Sequence, residues 1–171
     1  MRVLFVVAQE NFRDEEYSVP KGIVEKAGVS TATASPDGGV CRGVLGGRVK
    51  ADLKLSDVKP GDYDAVVVVG GGGSQKYLWN NRELHGILKS AFDGGRVVAA
   101  ICLSGAVLAK AGVLKGREAT VFETPESLKA LRDGGAKHVR EDVVVDGKVI
   151  TAVGPQAAAE FGERIVEALG T

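Results

Sequence analysis

Hydrophobic residues along the chain fall into short continuous runs that alternate with longer amphipathic segments. Continuous apolar runs are typical of strands buried on both faces of a parallel sheet, whereas amphipathic segments indicate surface helices. The runs predict strands at residues 3–8, 29–34, 64–69 and 96–101. The amphipathic segments predict helices at about residues 16–27, 81–92, 105–111, 125–132 and 157–169.

Two further segments have the pattern of β-hairpins. Residues 35–58 are rich in glycine with alternating apolar positions, which indicates a hairpin or an irregular β excursion. Residues 143–150 carry the pair Asp146-Gly147 between apolar runs, which favours a two-residue turn. A short strand is also expected near residues 119–122. Because strands alternate with helices, we expect an α/β fold whose parallel sheet has helices on both faces. No repeat or linker interrupts the pattern, so residues 1–171 are predicted to form one domain.

Composition excludes several classes of function. The 171 residues contain 22 Lys plus Arg and 22 Asp plus Glu, so no net positive charge attracts nucleic acid or an anionic membrane. No apolar run approaches the roughly 18–20 residues of a membrane span. No secretory signal pattern is present, which favours the cytoplasm. Two cysteines and two histidines are too few for a cysteine-rich zinc site, so neither a metal nor another cofactor is expected.

A run of glycines at residues 70–73 follows the predicted strand 64–69. The run lacks the second glycine before lysine that a P-loop requires, and Gln75 takes the last glycine position of a dinucleotide fingerprint. Backbone N–H groups exposed in such a loop are suited to holding an oxyanion. We therefore expect this loop to form half of an anion pocket.

Cys102 follows the predicted strand 96–101 and precedes a helix of small residues. This arrangement is similar to the strand–nucleophile–helix turn of α/β hydrolases, with cysteine in place of serine. A helix N-terminus at this point would stabilise a thiolate. The alternative is a small buried apolar side chain, which is the usual role of a single cysteine. Cys41 lies in the glycine-rich segment without such a context, and a packing or incidental redox role is predicted for it.

Three acids, Asp14, Glu15 and Glu16, open the first predicted helix. Acids in a first helical turn normally complement the helix dipole in solvent. The carboxyl end of a strand in an open α/β sheet is, however, also where ligands bind. We therefore expect one of the three acids to point inward toward Cys102.

Several of these segments recur in order and spacing in one known group of proteins. The segments are residues 3–6, 12–16, 64–71, 100–102, 112–117, 145–147, 154–155 and 165–169. Together they resemble the ThiJ/PfpI superfamily, which includes a Parkinson-linked protein deglycase and archaeal intracellular proteases. The resemblance implies a flavodoxin-like sandwich that is usually dimeric. It also implies that Cys102 is the nucleophile, that Glu16 is the acid in contact with it, and that the N–H groups of Gly71 and Leu103 form the anion pocket.

The chain departs from this superfamily at positions that matter for catalysis. Leu103 replaces the histidine that follows the cysteine in protease-type members, and Gln75 replaces a glutamate supplied there by a neighbouring subunit. Phe122 stands where deglycase-type members carry a histidine. His85 and His138 match no known role, so structural or solvated positions are predicted for both.

The combined pattern predicts a cysteine-dependent glyoxalase or deglycase. In this hypothesis Cys102 attacks a reactive α-oxoaldehyde or its glycated adduct, and Glu16 carries the proton. The alternative is a non-enzymatic stress-response sensor of oxidants or electrophiles that uses the same thiol. A cysteine peptidase is disfavoured because no Cys-His pair is evident.

Two further expectations concern assembly and charge. We expect a homodimer or a higher closed oligomer, with Tyr77 and Trp79 as candidates for either the interface or the pocket wall. We also expect Cys102 to be partly ionised at neutral pH beside a protonated Glu16, because two adjacent buried anions repel each other.

Overall fold

Residues 1–170, which the computed structural model describes, form twelve β-strands and six α-helices. The strands are β1 (Arg2–Val6), β2 (Glu10–Phe12), β3 (Ser30–Ser35), β4 (Gly39–Gly43), β5 (Arg48–Ala51), β6 (Leu53–Lys54), β7 (Ala65–Val68), β8 (Val97–Ile101), β9 (Glu118–Ala119), β10 (Lys137–His138), β11 (Val143–Asp146) and β12 (Val149–Ala152). The helices are α1 (Asp14–Lys26), α2 (Gly73–Tyr77), α3 (Arg82–Asp93), α4 (Gly105–Lys110), α5 (Pro125–Asp133) and α6 (Ala158–Leu169). None of these helices is long and apolar enough to cross a membrane.

Seven strands form the central sheet, in the order β11-β12-β8-β7-β1-β3-β6. Neighbouring strands are parallel except β11 and β12, which form the second predicted hairpin. The chain first winds from β1 to β3 on one side and later continues from β7 to β8 on the other, so the topology reverses between β1 and β7. Ligands bind beyond the carboxyl ends of the strands at such a reversal. The predicted α/β fold with a flavodoxin-like parallel sheet is confirmed.

Side chains of the central strands alternate between two buried faces of the sheet. One face packs against α3, α4 and α5, and the other packs against α1 and α6. The first face includes Leu4, Val6, Val66, Val68, Leu84, Leu88, Leu108 and Leu131. The second face includes Val3, Phe5, Val67, Ile101, Val24, Phe161 and Ile165. Full burial of one large apolar side chain stabilises a fold by roughly 1.5–3 kcal/mol, so these two faces rigidly fix the strand ends that carry the site.

Most predicted elements are confirmed to within about two residues, and the differences have local causes. Helix α1 begins at Asp14, two residues before the predicted start, and it continues through Pro20. The strand predicted near residues 119–122 is only the two-residue β9, which pairs with β10 outside the central sheet. Beyond it, the N–H of Thr120 donates to the Thr151 hydroxyl and not to a neighbouring strand. The short elements β2 and α2 were not predicted, because three to five residues are too few to show a period.

The glycine-rich segment forms the predicted hairpin, with β4 and β5 antiparallel and β2 added at one edge. Its turn is held against the start of α1 by the carboxylate of Asp14. The two Asp14 oxygens accept hydrogen bonds from the N–H groups of Leu45 and Gly47, each at 2.8 Å. The hairpin turn therefore lies over the carboxyl end of the sheet, where the site is expected.

Candidate active site around Cys102

Cys102 occupies a sharp turn at the carboxyl end of β8. Its φ angle is +62°, in the left-handed region that residues other than glycine rarely adopt. A single 3-10 turn over Cys102–Ser104 connects the strand to α4. This is the geometry of a nucleophile elbow, in which a strained residue is presented at the top of the sheet. The elbow predicted from the local sequence is therefore present.

Two buried serines hold the elbow from below. The hydroxyl of Ser104 donates a hydrogen bond to the carbonyl of Val69 at 2.7 Å, and it lies 2.7 Å from the hydroxyl of Ser74. Both serines are fully buried. The bond to Val69 joins the elbow to the end of β7, so the two strand ends that flank the site are fixed relative to each other. In the sequence, the only signal of this role is a polar residue within an apolar segment.

A second set of hydrogen bonds holds the residues on either side of the elbow. The indole N–H of Trp79 donates to the carbonyl of Leu103 at 2.9 Å, and His85 Nε2 lies 2.7 Å from the carbonyl of Trp79. The N–H of Phe122 donates to the carbonyl of Cys102 at 3.2 Å. Trp79 is buried within the chain, so it forms neither an interface nor the pocket wall. Its indole supports the elbow instead.

Glu16 is the acid that faces Cys102. Its side chain is completely buried, although it lies in the first turn of α1. Gly70 separates the two residues: a Cβ at Gly70 would lie 2.5 Å from Oε1 of Glu16 and 2.6 Å from Cβ of Cys102. Any other residue at position 70 would therefore collide with both side chains. Close contact between the acid and the cysteine depends on this glycine.

The other two acids of the first turn have different partners. Asp14 holds the hairpin turn, and Glu15 forms a bidentate ion pair with Arg13, with N···O distances of 2.9 and 3.0 Å. The expectation that one of the three acids points toward Cys102 is confirmed by this arrangement. The sequence could not identify which acid it is, because all three carboxyls occupy one turn of the same helix.

Burial raises the pKa of Glu16 to about 7. The Cys102 thiol, the Arg13 guanidinium and the Gly70 N–H partly offset this rise. Neither carboxyl oxygen makes a hydrogen bond of good geometry within residues 1–170. An unpartnered buried carboxylate is costly, so the proton is retained to a higher pH than in water. The expectation that Glu16 holds a proton close to neutral pH is confirmed in direction.

The expected partial ionisation of Cys102 at neutral pH is wrong. Burial, and next the negative charge of Glu16, raise the pKa of the thiol to about 12. The N–H groups of Gly71 and Leu103 lower it, as a helix N-terminus would, but they do not outweigh burial. Both groups of the pair therefore hold their protons to a higher pH than they would in water.

The backbone N–H groups of Gly71 and Leu103 both lower the pKa of the Cys102 thiol. Gly71 has a φ angle of +107°, which a side chain would disfavour. The two N–H groups predicted to form an anion pocket thus come from two loops that are far apart in sequence, and both act on the Cys102 sulfur.

A pocket of about 270 Å³ opens above the Cys102 sulfur. The residues that line it come from α1, the hairpin turn, the glycine loop, the elbow and two later loops. They are Arg13, Glu16, Val44, Gly71, Gly72, Cys102, Leu103, Phe122 and Pro155. Val44 and Pro155 were not predicted, and no sequence signal connects either of them to Cys102.

The remaining candidate residues lie elsewhere. Cys41 is fully buried in β4, and Gln75 is exposed on α2. His85 supports Trp79, and His138 is half-buried in β10 with Nε2 unpartnered among residues 1–170. Within the same residues no group of three or more His, Cys, Asp or Glu side chains could hold a metal ion.

Comparison with known proteins identifies the family. The family model for DJ-1/PfpI matches residues 1–168. An uncharacterized protein of Methanocaldococcus jannaschii is 44% identical over 98% of this chain and 82% of its own length. The deglycase PfpI of Pyrococcus furiosus is 34% identical over 91% of each chain. A glutathione-independent glyoxalase of Caenorhabditis elegans is 28% identical over 97% of this chain and 87% of its own.

Solved structures agree with these relatives. A ThiJ/PfpI domain protein from Brachyspira murdochii superposes with a TM-score of 0.93 at 35% identity, over 99% of this chain and 96% of that one. An oxidized DJ-1 of Toxoplasma gondii superposes with a TM-score of 0.85 at 30% identity, over 98% and 90%. The match extends over nearly the whole chain in both sequence and structure. The protein therefore belongs to the DJ-1/PfpI family.

Proposed function

We propose that the protein is a cysteine-dependent enzyme that converts reactive α-oxoaldehydes, or their adducts, to 2-hydroxy acids. The observation that carries this proposal is the strained Cys102 beneath an open pocket, with a buried Glu16 whose pKa is about 7. Relatives named deglycase and glyoxalase add support. A base that changes protonation near neutral pH is well matched to moving a proton during catalysis.

The first step joins the sulfur to the aldehyde carbon. The Cys102 thiol proton passes to the Glu16 carboxylate as the S–C bond forms, and the aldehyde oxygen becomes an alkoxide. The N–H groups of Gly71 and Leu103 act on the sulfur before reaction, and they are placed to donate to an oxygen bound beside it. Glu16 then returns the proton to the alkoxide, which leaves a neutral hemithioacetal and a carboxylate.

The later steps use the same carboxylate and need no external oxidant. Glu16 takes the proton on the former aldehyde carbon and delivers it to the neighbouring ketone carbon, and the hydroxyl proton on the former aldehyde carbon moves to the ketone oxygen. The aldehyde carbon is thereby oxidised to a thioester while the ketone carbon is reduced to an alcohol. Water cleaves the thioester, which releases the 2-hydroxy acid and restores the thiol. One water is consumed, so atoms and electrons balance within the substrate.

The direct test is turnover of methylglyoxal by the pure protein and its Cys102→Ser, Glu16→Gln and Glu16→Asp variants. We expect wild-type activity to rise with pH through about 7, because the base form of Glu16 has a raised pKa. Glu16→Gln cannot accept a proton and should lose the activity and its pH dependence. Glu16→Asp keeps a carboxylate that can accept the proton, but on a shorter side chain, so it should retain part of the rate. Turnover that survives Cys102→Ser would refute the proposal.

An electrophile or redox sensor is the second candidate, since the Toxoplasma relative was solved in an oxidized form. Oxidation favours exposed thiolates, whereas the Cys102 side chain is nearly buried and its pKa is raised. Enzymatic use, in which Glu16 removes the proton only when substrate is bound, fits this environment better. Absence of turnover together with oxidation of Cys102 alone by hydrogen peroxide would favour the sensor.

Peptidase activity is not part of the proposal. No histidine is among the residues that line the pocket, and Leu103 and Gln75 stand where protease-type members place a histidine and an acid. Amide hydrolysis needs a group that protonates the leaving amine. We expect no casein hydrolysis above that of Cys102→Ala.

We also propose that residues 1–171 form one domain, and that the protein acts in the cytoplasm as a homodimer or a higher homo-oligomer. The site supports the first point, because its lining extends from Arg13 to Pro155 and no segment of the chain could form it alone. Light scattering at micromolar concentration tests the assembly, and a monomeric mass would contradict it.

A further inference from the structure

The mouth of the Cys102 pocket carries apolar side chains that face solvent. Phe122 is 47% exposed and Val44 is 43% exposed, and both line the pocket. Leu45 follows Val44 in the hairpin turn and is 63% exposed. Single exposed apolar residues need no explanation, but several of them gathered at the mouth of one pocket mark a binding surface.

The inner part of the pocket continues this apolar character. Leu103 and Pro155 also line it, so four of the lining side chains are apolar: Val44, Leu103, Phe122 and Pro155. The two glycines contribute only backbone atoms. A pocket of about 270 Å³ is slightly smaller than the roughly 300–1,000 Å³ of drug-sized ligand sites. The occupant is therefore a small molecule with an apolar part.

Charge in the pocket argues against an anionic substituent. Arg13 is the cation among the lining residues, and its guanidinium is already paired in bidentate fashion with Glu15. Glu16 is the other ionisable side chain beside the sulfur, and it carries negative charge above a pH of about 7. A substrate carboxylate would have to break the Arg13 ion pair and approach a like charge.

We propose that this pocket selects α-oxoaldehydes whose ketone substituent is apolar and uncharged, such as an aryl or branched alkyl group. The substituent packs against Phe122 and Val44 while the aldehyde carbon meets the Cys102 sulfur. This inference rests on the proposed function, because it specifies the substrate class of the same site. The chemistry is unchanged: phenylglyoxal and one water give mandelic acid, with the aldehyde carbon oxidised and the ketone carbon reduced.

The first experiment compares initial rates on phenylglyoxal, methylglyoxal and 4-carboxyphenylglyoxal. We expect wild-type kcat/KM to be highest for phenylglyoxal and about tenfold lower for its carboxylated form. Phe122→Ala should reduce the preference for phenylglyoxal over methylglyoxal about tenfold, because it removes the aromatic contact. Val44→Ala should reduce the preference by a smaller factor.

Val145→Ala is the matched control for Val44→Ala. Val145 is 47% exposed in β11 and does not line the pocket. The two substitutions remove the same atoms from similarly exposed sites, so only the change at Val44 should alter the ratio between substrates. An equal effect of both would show that the rim does not contact the substituent.

A second measurement does not need turnover. Alkylation of Cys102 is followed by mass spectrometry with iodoacetamide, N-benzyl iodoacetamide and iodoacetate, in a Cys41→Ser background. The benzyl reagent should react fastest relative to its rate with free cysteine, iodoacetate slowest, and Phe122→Ala should remove the benzyl preference. The alkylation rates show whether the pocket wall contacts an apolar group, and this result does not depend on the protein being an enzyme.

The outcomes separate the two proposals. If no α-oxoaldehyde is turned over but the benzyl preference depends on Phe122, the proposed function fails and the apolar subsite stands. If turnover occurs with the same substrate ratios in wild type, Phe122→Ala and Val145→Ala, the function stands and the subsite is refuted. If Phe122→Ala leaves the ratios unchanged but halves the mass in light scattering, the rim is an interface between copies of the chain, and the subsite is again refuted.

Discussion

The two cysteines of this protein have similar burial and different surroundings. Cys41 is fully buried in the hairpin, where its sulfur lies 3.7 Å from Nε2 of Gln9 and 3.8 Å from the carbonyl of Gly39. Cys102 is 7% exposed and opens onto a pocket. Burial raises the pKa of both thiols. Burial alone therefore does not distinguish a packing cysteine from a candidate nucleophile.

What distinguishes them is the set of groups arranged around each sulfur. Cys102 has two backbone N–H donors, a left-handed backbone and a buried acid whose pKa is about 7. The acid near Cys41 is Glu10, whose side chain is 41% exposed and paired with Arg42. A thiol with a raised pKa becomes useful when a base that can take its proton is held beside it.

The largest expected difference between the two cysteines is in catalysis. Cys102→Ser should lower methylglyoxal turnover at least about 1000-fold, because the hydroxyl is a far weaker nucleophile and is not activated. Cys41→Ser should change kcat/KM less than about twofold, since Cys41 does not line the pocket. Steady-state assays on freshly purified proteins measure both. A comparable loss in the two variants would remove the distinction.

The buried acid should make stability depend on pH. Glu16 has a folded pKa of about 7 against an ordinary value of 4.5, so its stabilising contribution is complete below about pH 4.5 and is lost as the pH rises through 7. Glu16→Gln keeps a neutral side chain at every pH. Its free energy of unfolding relative to wild type should therefore rise by about 3 kcal/mol between pH 4.5 and pH 8. Urea unfolding at both pH values measures the difference.

Glu15→Gln is the control for that experiment. The Arg13 guanidinium lowers the pKa of Glu15, so its substitution should have the opposite sign with pH and a smaller size, since the pair is partly exposed. A flat difference between Glu16→Gln and wild type across this range would show that the buried carboxyl does not retain its proton.

A buried serine beside each cysteine provides the next comparison. Ser104→Ala removes the hydrogen bond to Val69 and leaves a buried carbonyl unpaired, which should cost about 2 kcal/mol. Ser35, which interacts with the Cys41 thiol, has no hydrogen-bond partner of good geometry for Oγ within residues 1–170. Ser35→Ala should change stability by less than about 0.5 kcal/mol. Chemical denaturation measures the loss of stability in both variants. A larger loss for Ser35→Ala than for Ser104→Ala would contradict this prediction.

The smallest effect concerns the backbone of the two cysteines. Cys102→Gly should be about 1 kcal/mol more stable than Cys102→Ala, because glycine adopts the positive φ of the elbow without strain. At Cys41, which lies in the regular strand β4, Gly should instead be about 0.5–1 kcal/mol less stable than Ala. Thermal unfolding of the four variants tests this. The same sign at both positions would show that the elbow holds no strain.

Much of the fold could be predicted from local pattern, and the site only in part. The central strands, most helices and both hairpins follow from apolar runs and glycine positions, because these report burial and turns within a few residues. The predicted roles of Gly71 and Leu103 came from family resemblance. The support that Trp79 and Ser104 give to the elbow was not foreseen, because a hydrogen bond between distant segments leaves no periodic signal.

By itself, then, the sequence determined the parallel sheet, the strand–Cys102–helix connection and the presence of three acids at the start of α1. Only the tertiary structure decided that Glu16 is the acid that faces the thiol, that the thiol pKa is raised and not lowered, and that Val44 and Phe122 border one pocket. The physical reason is that the local pattern of apolar residues indicates which side chains are buried. A pKa and a pocket depend instead on which groups from distant segments come into contact in the folded chain. At Cys102 these groups come from residues as far apart as Arg13 and Pro155.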